Sequence, residues 1–279
     1  MFETKNTKSV RTGLSKGETY LLTSLAEEDE NIFALKDVIT KLDCTYANAK
    51  VIVNRLVKKK WIVQLKRGTY LIVPLNAGPR AQYTEHEFVI ASYLVNPYYI
   101  AYWSALNYHA LTEQIPLTVF IATTKRSKER RILDANYRFV TLNQRKFFGL
   151  RKITISKHSI NISDKEKTII DCLDHPEYCG GIIEAAKALW NASREVSYEK
   201  LLRYAMKIGN QSVLKRLGFL LESLEITIPE ETIAAIHERM SKGFSALDPT
   251  ESKKGTYNTR WNLLVNVPKN KLLEWRETY

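Results

Sequence analysis

The feature that most constrains this chain is a change of hydrophobic period between residues 45 and 73. Up to about residue 59 the apolar side chains recur at i, i+3, i+4 and i+7, at positions Ala49, Ile52, Val53 and Leu56. That spacing predicts an amphipathic helix. From Trp61 onward the period changes to two, and "WIVQL" and "TYLIV" flank "KRG". Since Gly68 suits a tight turn, this second part predicts a β-hairpin.

Two further amphipathic segments precede this helix. Ser15 and Glu18 have the spacing of a capping box at the start of "SKGETYLLTSLAEED", and "ALKDVITKLD" has a helical apolar stripe. Three helices followed by a basic hairpin is the order of a winged helix-turn-helix. We therefore predict such a domain at residues 15–78, preceded by a flexible, polar and basic arm at residues 1–14.

The charge of this region is one-sided. No carboxylate lies between Asp43 and Glu85, whereas eight basic residues do: Lys50, Arg55, Lys58, Lys59, Lys60, Lys66, Arg67 and Arg80. The whole chain carries a net charge of +12 and has a pI of about 9.4. Because a surface that is merely soluble usually mixes both signs, the pattern favours a polyanionic partner, and nucleic acid first.

The predicted third helix presents Tyr46, Ala47, Lys50 and Asn54 opposite its apolar stripe. In a recognition helix such residues face base edges. Asn pairs with adenine, Lys donates to guanine, and a small Ala allows close approach. Basic residues at the helix end and on the hairpin are better placed to contact phosphates, namely Arg55, Lys58, Lys59, Lys60, Lys66 and Arg67.

The remainder of the chain predicts a larger mixed domain, so the protein is expected to be α+β. "LTVFIATT" is a predicted strand, "YRFVTL" and "KITIS" are expected to pair with it, and "HSINIS" to extend the sheet. Five helix-like segments follow from Lys165, and together they predict a C-terminal helical region. We assign residues 79–242 to this domain and residues 243–279 to an extension of open role.

A second basic region lies between residues 125 and 152, where ten Lys and Arg face only Glu129 and Asp134. It would either extend the DNA footprint or dock an acidic protein, and a third interpretation treats it as loops that happen to be basic. Its candidate surface residues are Lys125, Arg126, Lys128, Arg130, Arg131, Arg145 and Lys146.

Signals for chemistry are few. Nucleotide-binding, zinc-protease and serine-hydrolase motifs are absent from the sequence. Cys172, His175 and Cys179 lack a fourth ligand at a suitable spacing, and His109 in an aromatic helix favours a packed histidine. We therefore predict no catalytic residue, no metal and no cofactor. The alternative is a nucleic-acid-processing enzyme that uses a group of acidic residues, namely Asp164, Glu166, Asp171 and Asp174.

The location of the protein follows from what its sequence lacks. The N-terminus is polar rather than signal-like, and the longest apolar runs are too short to span a bilayer. Three widely spaced cysteines are an odd number, which argues for a reducing compartment. We expect a cytoplasmic protein without a membrane partner.

The layout resembles the AbiEi-type antitoxins of type IV toxin–antitoxin (abortive infection) systems. The resemblance covers roughly residues 15–225 and is most specific in "SALNYHALTEQIP" and "EKTIIDCLDHPEYCGG". It implies a non-catalytic antiviral-defence protein whose winged helix binds inverted repeats in double-stranded DNA upstream of its own operon and represses transcription. It also implies a second domain that counteracts a nucleotidyltransferase toxin. The family usually has Gly where this chain has Ala110. A stand-alone transcriptional regulator is the alternative.

Overall fold

The computed structural model describes residues 11–78 and 85–278 of this α+β protein. The chain forms two compact units. The first runs to Leu94 and includes Ile132–Asp134, and the second comprises Val95–Arg131 and the chain from Ala135 onward. The boundary predicted between residues 78 and 79 stays a prediction, and the division between the compact units comes after α4 (Glu87–Leu94).

The first unit combines three helices with a small antiparallel sheet. In chain order its elements are α1 (Lys16–Glu27), β1 (Ile32–Ala34), α2 (Leu35–Leu42), α3 (Tyr46–Lys58), β2 (Ile62–Lys66) and β3 (Thr69–Ile72), followed by a 3₁₀ turn (Leu75–Ala77) and α4. The strand order is β1-β3-β2. The predicted hairpin is therefore confirmed. Strand β1 was not predicted, because a strand of three residues is too short to show a hydrophobic period.

Local signals begin the helices as expected. The Ser15 hydroxyl accepts from the Glu18 amide while the Glu18 carboxylate accepts from the Ser15 amide, which confirms the capping box. At α3 the Thr45 hydroxyl accepts from the Asn48 amide and so caps the helix. The helices and the sheet bury their apolar side chains in one core, which includes Leu21, Leu25, Val38, Ala49, Val53, Leu56, Ile62 and Tyr70.

The beginning of the first unit is partly tied down. Residues 1–10 of the predicted flexible arm lie outside the described residues. The Arg11 guanidinium donates to the carbonyls of Val73 and Pro74 and lies 4.6 Å from the centre of the Trp61 ring. The Trp61 indole in turn donates to the Thr12 carbonyl. The chain from residue 11 is thus attached beside the hairpin.

The second unit is built on a six-stranded mixed sheet. Its strands are β4 (Tyr98–Ile100), β5 (Thr118–Thr123), β6 (Arg130–Ile132), β7 (Ala135–Thr141), β8 (Leu150–Ile155) and β9 (His158–Ser163), in the order β6-β7-β5-β4-β9-β8. β7 pairs with β5 as predicted. The prediction that "KITIS" also pairs with β5 is wrong. β8 pairs with β9 instead. The strands β4 and β9 lie between β5 and β8, so β8 cannot reach β5.

Helices and a small C-terminal sheet complete the second unit. The helices are α5 (Tyr102–Tyr108), α6 (Lys165–Asp174), α7 (Gly181–Asn191), α8 (Tyr198–Ile208), α9 (Gln211–Ser223) and α10 (Glu230–Arg239). Then come β10 (Ser245–Ala246), β11 (Thr256–Asn258), β12 (Leu263–Val265) and α11 (Lys269–Leu273). The five predicted C-terminal helices, α6 to α10, are confirmed.

The C-terminal segment is part of the core of the second unit. Trp261, Leu263, Val267 and Leu272 are buried in the same hydrophobic cluster as α6, α7 and α9. Residues 243–279 therefore supply core side chains, which the sequence had left open. Among the described residues, the helices are all too short or too polar to cross a bilayer.

Candidate nucleic-acid interface

Helix α3 has one buried and one exposed face, as its sequence predicts. Ala49, Val53 and Leu56 are buried. The residues predicted to face bases or phosphates from this helix are all exposed: Tyr46, Ala47, Lys50, Asn54, Arg55 and Lys58. The face carries amide, ammonium, guanidinium and phenol groups and no carboxylate. These groups can donate hydrogen bonds to acceptor atoms on base edges and phosphates.

Two neighbours add to this face. Val51 is 46% exposed, and Asn48 is exposed in the first turn of α3. The Lys50 ammonium lies 5.4 Å from the centre of the Tyr46 ring, which is itself 55% exposed. The exposed face of α3 thus also carries one apolar side chain and one ring among its basic groups. Asn48 and Val51 were not among the residues predicted from the sequence, although both follow from the same helical period.

Lys59 has a different role from the one predicted. Its ammonium lies 2.6 Å from the Glu18 carboxylate of α1, which is only 4% exposed. Burial acts to raise the pKa of Glu18, and hydrogen bonds from Lys59 and Ser15 outweigh it, so the pKa lies below its usual value. Since the cation neutralises a buried carboxylate, we assign Lys59 to the internal structure and not to phosphate binding.

Lys60 ends the helix. Its φ of +62° lies in the left-handed region, and its amide donates to the Val57 carbonyl while the Trp61 amide donates to Leu56. These two bonds form a Schellman cap. The backbone at Lys60 thus turns the chain from α3 into β2, and its side chain is half-buried.

The hairpin places the other two predicted residues at its turn. Lys66 ends β2 and is half-buried, Arg67 is exposed, and Gly68 follows with a φ of +75°. β2 also carries a register irregularity between Gln64 and Lys66. The turn therefore presents Arg67 outward, and Arg67 is the stronger candidate for a phosphate contact from the hairpin.

The second basic region also contains both exposed residues and one residue that pairs with a buried carboxylate. Lys125, Arg126, Lys128, Arg130, Arg131 and Arg145 are exposed. Lys146, however, lies 2.5 Å from the buried Asp174 carboxylate and is half-buried. It therefore stabilises α6 in place of contributing to the predicted surface.

The acidic residues of the enzyme alternative each have a lysine partner. Asp171 accepts from Lys167 and from the Tyr99 hydroxyl, and Glu166 and Asp164 lie 2.8 and 3.2 Å from the Lys200 ammonium. Burial raises the pKa of Asp171 against the opposing effect of Lys167. Together with the Lys146–Asp174 pair, these contacts hold α6 in position, and among the described residues no acidic, histidine or cysteine side chains are grouped for a metal.

The remaining candidates for chemistry are structural side chains. Cys172 and Cys179 are buried, and the Cys179 thiol contacts the backbone carbonyls of Cys172 and Pro176. His109 is buried and its Nε2 lies 2.7 Å from the Ser163 carbonyl. Burial lowers the pKa of His109, so a neutral imidazole that donates to this carbonyl is favoured.

Comparisons with known proteins place the fold. No protein-family model matches the chain, and no curated protein does. Among solved structures, the chain is similar to the crystal structure of the RV2827C protein from Mycobacterium tuberculosis, with a TM-score of 0.72 and 15% sequence identity. The alignment covers 97% of this chain and 98% of that one, so the fold is shared from the three-helix unit through the C-terminal segment.

Proposed function

We propose that the first unit is a winged helix-turn-helix that binds double-stranded DNA, with α3 as the recognition helix and the β2–β3 hairpin as the wing. The observation that carries this proposal is the exposed face of α3, which is basic and free of carboxylates, together with the exposed Arg67 at the hairpin turn. Glu18, the acid of α1 that meets the end of α3, is buried and neutralised by Lys59. Phosphates would meet cations and no carboxylate on this face of α3.

Roles within the interface follow from position. Lys50 and Asn54 lie one helical turn apart on the exposed face, where they would read base edges in the major groove. Arg55, Lys58 and Arg67 would contact phosphates. Contacts of the first kind set sequence preference, and those of the second kind set affinity and its salt dependence.

We further propose, following the resemblance, that the protein is the autorepressor and antitoxin of a type IV toxin–antitoxin system. It would bind inverted repeats in its own promoter through the first unit and counteract a nucleotidyltransferase toxin through the second. One detail supports the resemblance. The family pattern has Gly where this chain has Ala110, and the φ of +56° at Ala110 lies in the region that favours glycine.

The test is binding of the purified protein to its own upstream DNA, measured by fluorescence anisotropy over a range of salt concentrations, with unrelated DNA as competitor. Asn54→Ala should lose preference for the upstream DNA. Arg67→Ala should weaken binding to both DNAs alike and flatten the salt slope by about 0.9 for each phosphate that the protein no longer neutralises. Lys16→Ala, which removes an exposed lysine from α1, is the matched control and should change neither. Equal effects of Arg67→Ala and Lys16→Ala would contradict the wing assignment.

The antitoxin role has its own test. Co-expression with a nucleotidyltransferase encoded beside the gene should restore growth, and the Lys50→Ala/Asn54→Ala protein should still restore it when expressed from an unrelated promoter. Loss of rescue in that variant, with normal protein levels, would show that the first unit also acts on the toxin. Failure of the wild-type protein to rescue would leave a stand-alone regulator.

A further inference from the structure

A cleft of about 350 Å³ opens on the sheet of the second unit, and the lysine-paired carboxylates of α6 do not line it. We call it the arginine cleft. Its lining residues are Thr118, Phe120, Glu129, Arg130, Arg131, Asn136, Tyr137 and Arg138. Its size lies in the range of pockets that hold small organic ligands.

The strand register explains why these side chains meet. β5 and β7 run parallel, with Thr118 beside Asn136 and Phe120 beside Arg138. Because side chains alternate along a strand, these four lie on one face of the sheet. β6 is the edge strand next to β7 and adds the exposed Arg131 at the rim. A hydroxyl, an amide and guanidinium groups therefore converge on one cleft.

Arg138 is held in place from two sides. Its Nε lies 3.1 Å from the Glu129 carboxylate, and its guanidinium carbon lies 4.9 Å from the centre of the Tyr178 ring. The Tyr178 ring itself packs against Tyr102 and Phe120. Arg138 nevertheless stays 44% exposed. A guanidinium that is positioned before a ligand arrives loses less side-chain entropy on binding.

The charge of the lining selects the ligand. Three arginines and one carboxylate line the cleft, so basic groups outnumber acidic ones in its lining. Guanidinium forks match the oxygens of a phosphate in charge and in geometry, and the Thr118 hydroxyl and Asn136 amide add neutral donors. We propose that the arginine cleft binds the phosphate or diphosphate group of a small organic phosphate. This proposal is independent of DNA binding by α3.

Protection of the sheet edge is the plainer explanation for these arginines, since charged side chains discourage pairing between edges. The opposite edge strand, β8, carries the exposed Arg151 and Lys152 and offers a direct comparison. Neither of these residues lines the arginine cleft. Arg151→Gln therefore removes one edge charge without touching the proposed site and is the matched control.

The test is isothermal titration calorimetry of the full-length protein with pyrophosphate, ATP, a 5′-phosphorylated oligonucleotide and adenosine. We expect the phosphorylated probes to bind and adenosine not to bind. Arg131→Gln and Arg138→Gln should each weaken binding by at least about tenfold, and Arg151→Gln should leave it unchanged. Binding of pyrophosphate and ATP supports a site for small phosphates. Binding of the oligonucleotide alone would contradict the proposal, because the basic face of α3 could account for it.

Three further outcomes would overturn the proposal: no binding of the phosphorylated probes at millimolar concentration, equal losses in Arg131→Gln and Arg151→Gln, or equal binding of adenosine. Arg131 is exposed at the rim, so its substitution leaves the fold intact, and circular dichroism checks this. Arg138→Lys provides a second comparison. It keeps the charge and loses the fork, so it should bind less tightly than wild type and more tightly than Arg138→Gln.

Discussion

Substitution of Gly218 by alanine should destabilise the second unit, although Gly218 lies inside helix α9, where alanine is normally preferred by about 1 kcal/mol. A Cβ atom at this position would lie 2.0, 2.4 and 2.6 Å from three carbons of the Trp261 ring. Carbon atoms at ordinary contact are roughly 3.5–4.0 Å apart, so either the ring or the helix must shift by about 1.5 Å. The absence of a side chain at Gly218 is what lets this tryptophan bury itself.

The ring has little freedom to make that shift. Trp261 is fully buried, its indole nitrogen donates to the Glu222 carboxylate, and its backbone amide donates to the Asn258 side chain at 2.9 Å. The His237 ring stacks on it with centroids 4.4 Å apart. Overpacking of this kind costs about 1–3 kcal/mol, and expulsion of a buried tryptophan about 3–5 kcal/mol. We expect Gly218→Ala to lower the free energy of unfolding by about 3 kcal/mol.

A double-mutant cycle isolates the cause. In a Trp261→Ala background the ring is gone, and Gly218→Ala should instead stabilise the protein by about 1 kcal/mol through helix propensity. Urea unfolding followed by circular dichroism on the four proteins measures this change of sign. Gly17→Ala is the control, because a Cβ at this helical glycine meets nothing within 4 Å. If Gly218→Ala has the same effect with and without Trp261, the steric reasoning is refuted.

The other predictions concern buried ionisable groups. Lys59→Ala leaves the buried Glu18 carboxylate without its cation and should lower the free energy of unfolding by about 3 kcal/mol. Adding Glu18→Gln should recover most of that loss. If Lys59→Ala alone does not change urea unfolding, the pair does not stabilise the fold. Because the folded pKa of Glu18 is lowered, its contribution is complete above the ordinary value of 4.5 and is lost as the pH falls through the folded value, which a pH series of melting temperatures detects. The pKa of His109 is also lowered, so stability should fall as the pH drops below 6.5, and His109→Gln should flatten that part of the series. Lys167→Met should lower the free energy of unfolding in urea by about 3–5 kcal/mol, and adding Asp171→Leu should restore much of that loss. A Lys167→Met protein as stable as wild type would contradict this prediction.

Most helices of this protein follow from local sequence, and the limits of prediction lie in the pairing of distant segments. Ser15 and Thr45 cap their helices because a cap needs only residues three positions away. The pairing partner of β8 was mispredicted because a three-residue strand, Tyr98–Ile100, lies between β5 and β9. So short a strand has no measurable period, and its place depends on contacts with segments far away in the chain.

The candidate interface shows the same division. The helical period alone placed Lys50 and Asn54 on the exposed face of α3, and the absence of carboxylates between Asp43 and Glu85 is visible in the sequence. The sequence could not separate Lys59 from Lys58, since both are lysines at the end of one helix. Their roles differ because Lys59 meets a buried carboxylate from α1, 41 positions earlier in the chain.

The sequence by itself determined where the chain is helical, where it forms a hairpin, and which segment is basic without acids, because periodicity, capping and charge are properties of neighbouring residues. Only the tertiary structure decided which cations neutralise buried carboxylates, as Lys59 and Lys146 do, and which converge on a cleft, as Arg131 and Arg138 do. It also decided that Gly218 must be small. The reason is physical: the electrostatic energy of a charge and the room beside a backbone depend on what packs there, and packing joins residues that are distant in the chain.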